Sequence, residues 1–350
     1  MARDRDELVE RLRSGGCADA DIEAAEAGGR LASFAVERAL GGEERYTLSE
    51  LAEASSQSTA FLRELMQAIG RPNPRRGERA YTEEDLEAAR LIRRFVDAGL
   101  RRQDVLEVGR VISQCMSQAA EAVRRLAGDA LLKAGDTEYT VGLRYAQAVD
   151  ELAPLMPPLL DYHFRSHLRD GMRRQMITEA ERQEGRLRGT EEVAIAFADL
   201  VDYTRLGEQL APEDVGQIAA RFAALAVKAV ERPVRLIKTI GDAALFVSDE
   251  VPPLLHTLTR LVKDLGTEGE AFPGVRVGVA YGPATTTAGD WFGGTVNLAS
   301  RVTGVAKPGR ILATAEVEER ADGYDFKRTR RRKFKGVEGW VRLFALDPAS

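Results

Sequence analysis

The chain has 350 residues, 44% of them hydrophobic, which permits two domains of ordinary size, each with its own core. A formal net charge of −5 gives no general expectation of nucleic-acid binding, and Cys17 and Cys115 are too few for a disulfide framework or a zinc cluster. No apolar run approaches the roughly 18 residues of a spanning helix and the charged first residues lack a signal-peptide core, so a soluble cytoplasmic protein without a membrane span is expected.

Residues 1–155 read as an all-α domain, rich in Ala, Leu, Glu and Arg with apolar positions at helical spacing. The spacing predicts helices over Asp4–Ser14, Asp21–Ala39, Leu48–Ala54, Thr59–Ile69, Glu83–Ala98 and Arg102–Ala127. Turn signals at Gly15-Gly16, Gly41-Gly42 and Gly70–Pro74 separate several of them. Within 46–100, Tyr46–Ala52 and Ser58–Gly70 look like a helix–turn–helix. The loop with Arg71, Arg75, Arg76 and Arg79, followed by Tyr81–Leu86, resembles the wing and next helix of a MerR-like DNA-binding fold. Thr82 is placed to cap that helix. The candidate recognition helix carries one basic residue, Arg63, which is poor for reading phosphates or bases. The reading taken is a regulatory or dimerisation module, not a nucleic-acid partner.

Pro154, Pro157 and Pro158 break the pattern, and residues 156–190 read as a linker containing one long, highly charged helix from Leu159 to about Leu187. His163 and His167 lie on one face of it at i, i+4. Solvated surface, a protonation sensor and a metal pair are the three readings of these histidines, and no further ligand is evident nearby.

Residues 191–347 alternate strand and helix. Val193–Ala198 is an apolar strand ending in Asp199, followed by a helix over Pro212–Val230. Strands Val234–Thr239 and Ala243–Val247 form a hairpin with Gly241-Asp242 at its tip. A helix over Pro252–Leu265, a strand over Val275–Ala280, a helix over Val296–Val305 and a strand over Arg310–Ala313 follow, with a last pair at about Arg331–Phe334 and Trp340–Leu346. This order fits an α+β ferredoxin-like sheet with helices on one face. If the first strand lies beside the hairpin, Asp199 and Asp242 converge. Two carboxylates with backbone carbonyls nearby suit Mg²⁺ or Mn²⁺ carrying a phosphate substrate. The basic run Lys327–Lys335 reads as an edge strand protected by charge.

Phe197-Ala198-Asp199, Lys238-Thr239-Ile240-Gly241-Asp242 and Asp290…Val296-Asn297-Leu298-Ala299-Ser300-Arg301 together resemble the catalytic signature of class III nucleotidyl cyclases over about residues 191–347. The resemblance implies cyclisation of a nucleoside triphosphate with release of pyrophosphate. Two metal ions would be held by Asp199 and Asp242, with the backbone carbonyl of Leu200 as a further ligand. Arg301 would steady the α-phosphate, Asn297 the ribose, and Lys335 the terminal phosphates. Lys238 donating to an adenine ring nitrogen and Asp290 accepting from the exocyclic amine point to ATP. Guanine would leave the aspartate facing a carbonyl acceptor.

In the family the metal aspartates come from one protomer and the remaining site residues from the other. A chain carrying both sets implies a homodimer with two interfacial sites. The stretch Ala288–Gly293 follows a shortened arm and resembles soluble bacterial adenylate cyclases with helical N-terminal regulatory domains. Some members of that subgroup are acid-activated, and the signal read by this N-terminal domain is left open among protons, a lipid, a small molecule and a protein. The competing readings are a DNA-binding regulator with a degenerate cyclase-like ligand domain, whose mark would be lost metal or transition-state residues, and a guanylate cyclase, disfavoured by Lys238 and Asp290.

Overall fold

The computed structural model describes residues 2–174, 190–269 and 272–348, and the chain divides into two compact units, 1–176 and 177–350. The end of the expected linker helix lies outside the described residues. Its described part is α9 (Met156–Arg174), which carries His163 and His167 exposed one turn apart.

The first unit is helical. α1 (Ala2–Ser14), α2 (Asp19–Ala27), α3 (Leu31–Leu40) and α8 (Glu138–Leu152) share a core of Leu8, Leu12, Ile22, Ala25, Leu31 and Ala35. The single helix expected over Asp21–Ala39 is two, because Gly28-Gly29 breaks it with Gly29 at φ 63°, a left-handed conformation that costs glycine little. α8 was not expected from the sequence, and Gly142 within it lets the helix close on α3, since a Cβ there would lie 2.7 Å from Ala32 Cα.

A second cluster, Leu51, Leu62, Leu65, Met66, Tyr81 and Leu86, joins α4 (Leu48–Ala54), α5 (Thr59–Ala68) and α6 (Glu83–Asp97). Thr47 and Thr82 each close a capping box, and Ser58 Oγ accepts from Phe61 N at 3.2 Å. Each such cap contributes about 1 kcal/mol. Two arginines of the candidate wing are engaged within the unit: Arg71 pairs with Asp85 and stacks over Tyr81, and Arg79 pairs with Glu50. α7 (Arg102–Leu131) runs past its expected end.

The second unit is built on one mixed sheet. β1 (Thr190–Leu200), α10 (Tyr203–Leu206), α11 (Pro212–Ala229), β2 (Arg235–Ile240), β3 (Ala243–Ser248), α12 (Val251–Gly266) and β4 (Val275–Thr287) come in order. Then follow β5 (Asp290–Phe292), α13 (Gly294–Thr303), β6 (Ile311–Thr314), α14 (Ala315–Glu318), β7 (Phe326–Arg328) and β8 (Leu343–Leu346). The spatial order β2-β3-β1-β4 is antiparallel throughout and is the ferredoxin-like arrangement; β6, β8 and β7 extend it beyond β4.

Residue alternation along β1 assigns its two faces. Ala194, Ala196, Ala198 and Leu200 face α11 and α12, and the small alanines leave room for Phe222, Leu225, Leu254 and Leu258. Val193 and Ile195 face the other side with Leu245, Val247, Trp291 and Ala299. Helices therefore lie on both faces, not one as expected, because α13 covers the second. Gly278 on β4 permits this approach: a Cβ there would sit 2.2 Å from Thr303 N and 2.7 Å from Ala299 O.

The strand expected over Arg331–Phe334 is reduced to one bridge, Arg332 to Val341. The edge of the sheet is β7, at the start of the basic run. Among the described residues no helix is long and apolar enough to cross a membrane.

Candidate active site

Asp199 sits at the end of β1, on the face of Val193 and Ile195 by alternation, and pairs across the ladder with Ala243, next to Asp242 at the hairpin tip. Gly241, at φ 57°, supplies the turn. Leu200 N donates to the carbonyl of Asp242 at 2.9 Å, which ties the two acidic segments together through the backbone. Burial first, and then the neighbouring charge of Asp199, push the Asp242 carboxyl above its ordinary value of 3.8, although a backbone hydrogen bond and Arg276 oppose the shift. Two carboxylates side by side form an all-oxygen donor set that a divalent cation fits. Among the described residues no cluster of three or more His, Cys, Asp or Glu could hold a metal unaided.

One participant was not found by sequence reasoning. Arg276 stands directly opposite Asp199 in the β1–β4 register, and its Nε donates to Asp199 Oδ2 at 2.7 Å, with Nη2 on the same oxygen. Both side chains are less than a third exposed, at 32% and 21%. Arg276 holds Asp199 in one orientation and balances part of its charge. The signal that could have found it was a lone arginine in the apolar strand Val275–Ala280.

Lys238 owes its direction to a β-bulge. Leu236 pairs with Phe246 and Lys238 with Leu245, so Ile237 has no ladder partner. Without that extra residue Lys238 would share the face of Leu236, towards α11 and α12. The bulge turns it to the face of Leu245, where it forms an ion pair with Asp290. Asp290 opens β5 and also accepts from Trp291 N at 2.9 Å. The pair anticipated from sequence is therefore assembled within one chain, 37% and 29% exposed, with a donor and an acceptor side by side.

Asn297 and Arg301 lie one turn apart on α13 and share a pocket of about 350 Å³ with Pro283, Thr295, Gly336 and Val337. Gly336 is placed against the guanidinium: a Cβ there would lie 3.6 Å from both Arg301 Nη atoms. Lys335, the preceding residue, is exposed, and neither it nor Arg301 makes an ion pair among the described residues. The pocket includes neither Asp199 nor Asp242. The site residues thus fall into an acidic group at the β1 end and hairpin tip, the Lys238–Asp290 pair between β2 and β5, and a group on α13 and the loop before β8 that carries Asn297, Arg301 and Lys335.

Residues 1–172 match the profile of the adenylate cyclase regulatory domain, and residues 186–347 that of the adenylate and guanylate cyclase catalytic domain. A Mycobacterium tuberculosis protein named pH-sensitive adenylate cyclase is 41% identical over 267 residues, covering 74% of this chain and 67% of that one. A Streptomyces coelicolor protein named adenylate cyclase is 32% identical over 285 residues, 80% of this chain and 73% of its own. Among solved structures, the catalytic core of a rhodopsin-guanylyl cyclase with converted specificity in complex with ATPαS is 24% identical, with a TM-score of 0.39, covering 45% of this chain and 94% of that chain. The chain belongs to the class III adenylate and guanylate cyclase family, in which a regulatory region of 1–172 precedes a catalytic region of 186–347.

Proposed function

We propose that the chain is an adenylate cyclase that converts ATP to 3′,5′-cyclic AMP and pyrophosphate at a site shared by two copies. The observation that carries this reading is the Lys238–Asp290 pair, a donor and an acceptor matched to the adenine ring nitrogen and exocyclic amine. Names of relatives support it: the Mycobacterium tuberculosis, Streptomyces coelicolor and Streptomyces griseus proteins are all named adenylate cyclases.

In the reaction the ribose 3′-oxygen forms a bond to the α-phosphorus and loses its proton to solvent water. The bond from the α-phosphorus to the bridging oxygen breaks, and its electrons leave with pyrophosphate. Mg²⁺ or Mn²⁺ ions bound by Asp199, Asp242 and the Leu200 carbonyl, two per site, would supply the Lewis acidity for attack and departure. The rest of catalysis is positioning and charge. Arg301 is assigned to the charge growing at the α-phosphate, Asn297 to the ribose, and Lys335 to the terminal phosphates. Supply of the acidic and cationic groups by different protomers fits a pocket around Arg301 that contains no carboxylate side chain. Ile240 and Phe292, next to the hairpin tip and to Asp290, are 57% and 52% exposed, apolar surface of the kind an interface covers.

The N-terminal unit is proposed to regulate the catalytic one. The name of the mycobacterial relative keeps His163 and His167, exposed on one helix, as candidate proton sensors. The arginines engaged inside the helix–turn–helix region leave nucleic acid the weaker reading.

The test is full-length protein with Mn²⁺ and either ATP or GTP, with products separated by chromatography. Cyclic AMP is expected, with kcat/KM for ATP at least about fivefold above GTP, since an unpaired acceptor costs on the order of 1–3 kcal/mol. Dominant cyclic GMP would overturn the substrate assignment, and absence of both products the enzymatic one.

A further inference from the structure

β5 has three residues and bonds only to Thr285–Thr287 at the far end of β4. A two-stranded ribbon has little stability in water unless something holds it. Yet this ribbon delivers Asp290, whose carboxylate discriminates between bases only if its orientation is fixed. Its turn is tight: Ala288 and Gly289 have φ of 52° and 79°, both left-handed, as a two-residue hairpin of the right twist requires.

What fastens the ribbon to the sheet is Trp291. Its side chain is 3% exposed and packs with Val193, Ile195, Leu245 and Val247. Arg235 comes from the start of β2, opposite Val247, and its guanidinium lies 5.1 Å from the centroid of the Trp291 ring. Nη2 of Arg235 donates to Asp249 Oδ1 at 3.3 Å, which fixes the other side of the guanidinium. Its Nε is buried without a hydrogen-bond acceptor, which leaves the ring and the Asp249 carboxylate as the guanidinium's partners. The same tryptophan donates its backbone N–H to Asp290 Oδ1, while Lys238 takes Oδ2. Both oxygens of Asp290 are thus set from β2: one directly by Lys238, the other through Trp291 and Arg235.

We infer that Arg235 and Trp291 are positioning residues, a clamp that holds Asp290 in register with Lys238 and so sets the preference for adenine over guanine. The inference rests on the adenylate cyclase reading above. Neither side chain needs to touch the base. A held carboxylate gains a hydrogen bond from the adenine amine and repels the guanine carbonyl oxygen. A loosened hairpin loses the gain and relaxes the repulsion together, so the ATP-to-GTP ratio falls even where the fold survives.

The experiment measures kcat and KM for ATP and GTP, with Mn²⁺, on full-length wild type, Arg235→Met, Arg235→Lys and Trp291→Phe. Removal of Trp291's ring altogether would empty part of the core, so the phenylalanine variant is the informative one. For Arg235→Met the ATP-to-GTP ratio of kcat/KM is expected to fall about tenfold, mainly through a higher KM for ATP. Arg235→Lys should recover most of that ratio, because an ammonium still sits over the indole, and Trp291→Phe should fall between. An unchanged ratio in Arg235→Met, or an equal loss for both nucleotides, would overturn the clamp. A wild type that prefers GTP overturns the substrate reading itself, and the clamp with it, before any variant is compared.

Discussion

At the residue scale, Asp242 places function and stability in opposition. Burial and the charge of Asp199 raise its proton affinity in the folded chain above the ordinary carboxyl value of 3.8. A carboxyl whose folded pKa is raised destabilises the folded state at neutral pH. That penalty is fully present above the folded pKa and is relieved as pH falls through it towards the unfolded value. Asp242→Asn removes the charge while keeping the shape. It should abolish cyclic AMP formation, because the proposed metal ligand is lost, yet raise the melting temperature in EDTA at neutral pH. The gain should shrink on acidification into the range where the wild-type carboxyl is protonated. A variant less stable than wild type at neutral pH in EDTA would show that Asp242 is held by favourable contacts rather than tolerated. The convergence of Asp199 and Asp242 was legible in the sequence because an acid ending an apolar strand is a costly placement that asks for a reason, and a Gly-Asp hairpin tip beside that strand brings a second carboxylate to it. Arg276 was not, because only the strand register reveals that it faces Asp199.

At the scale of elements, the helix bearing Asn297 and Arg301 is seated by a single missing methyl group. At Gly278 a Cβ would approach Thr303 N to 2.2 Å, and backbone cannot swing aside as a side chain can. Gly278→Ala must therefore lift α13 from β4 or bend β4, at a cost of about 1–3 kcal/mol. The urea midpoint should drop accordingly at unchanged slope, and kcat should fall because both side chains proposed for catalysis ride on the displaced helix. A midpoint equal to wild type would mean that the helix seats loosely and that its position is set elsewhere. The core order β1–α11–β2–β3–α12–β4 was readable from apolar alternation and turn residues, since both are local properties of the chain. The bulge at Ile237 was not. An extra residue in a strand leaves the composition of the strand unchanged and shows only in the partner register. The C-terminal pairing was misplaced for a related reason. The basic run Lys327–Lys335 read as an edge strand by its charge, which does not mark where along the run the pairing falls, and tertiary contacts gave the strand to Phe326–Arg328.

At the scale of the whole molecule, a single chain holds every residue proposed for the catalytic site, yet the pocket of Asn297 and Arg301 is lined by neither Asp199 nor Asp242. If each active site takes its acids from one copy and its cations from the other, a homodimer has two sites, each incomplete without both chains. Asp199→Ala and Arg301→Ala should each be nearly inactive alone, because every site in either homodimer lacks one essential group. A mixed dimer redistributes the damage. One of its sites combines the intact Arg301 of the first variant with the intact Asp199 of the second, and its other site carries both lesions. With free exchange of equal amounts, about half of the dimers are mixed and each has one working site of two. About a quarter of wild-type activity should therefore return, by the statistics of random pairing of two self-complementary subunits. The measurement is cyclic AMP formation after co-incubation, with exchange followed separately by pull-down of differently tagged variants. Exchange without recovered activity would mean that each site is built within one chain, and that the separation of the two groups is bridged by movement of α13 rather than by a second copy.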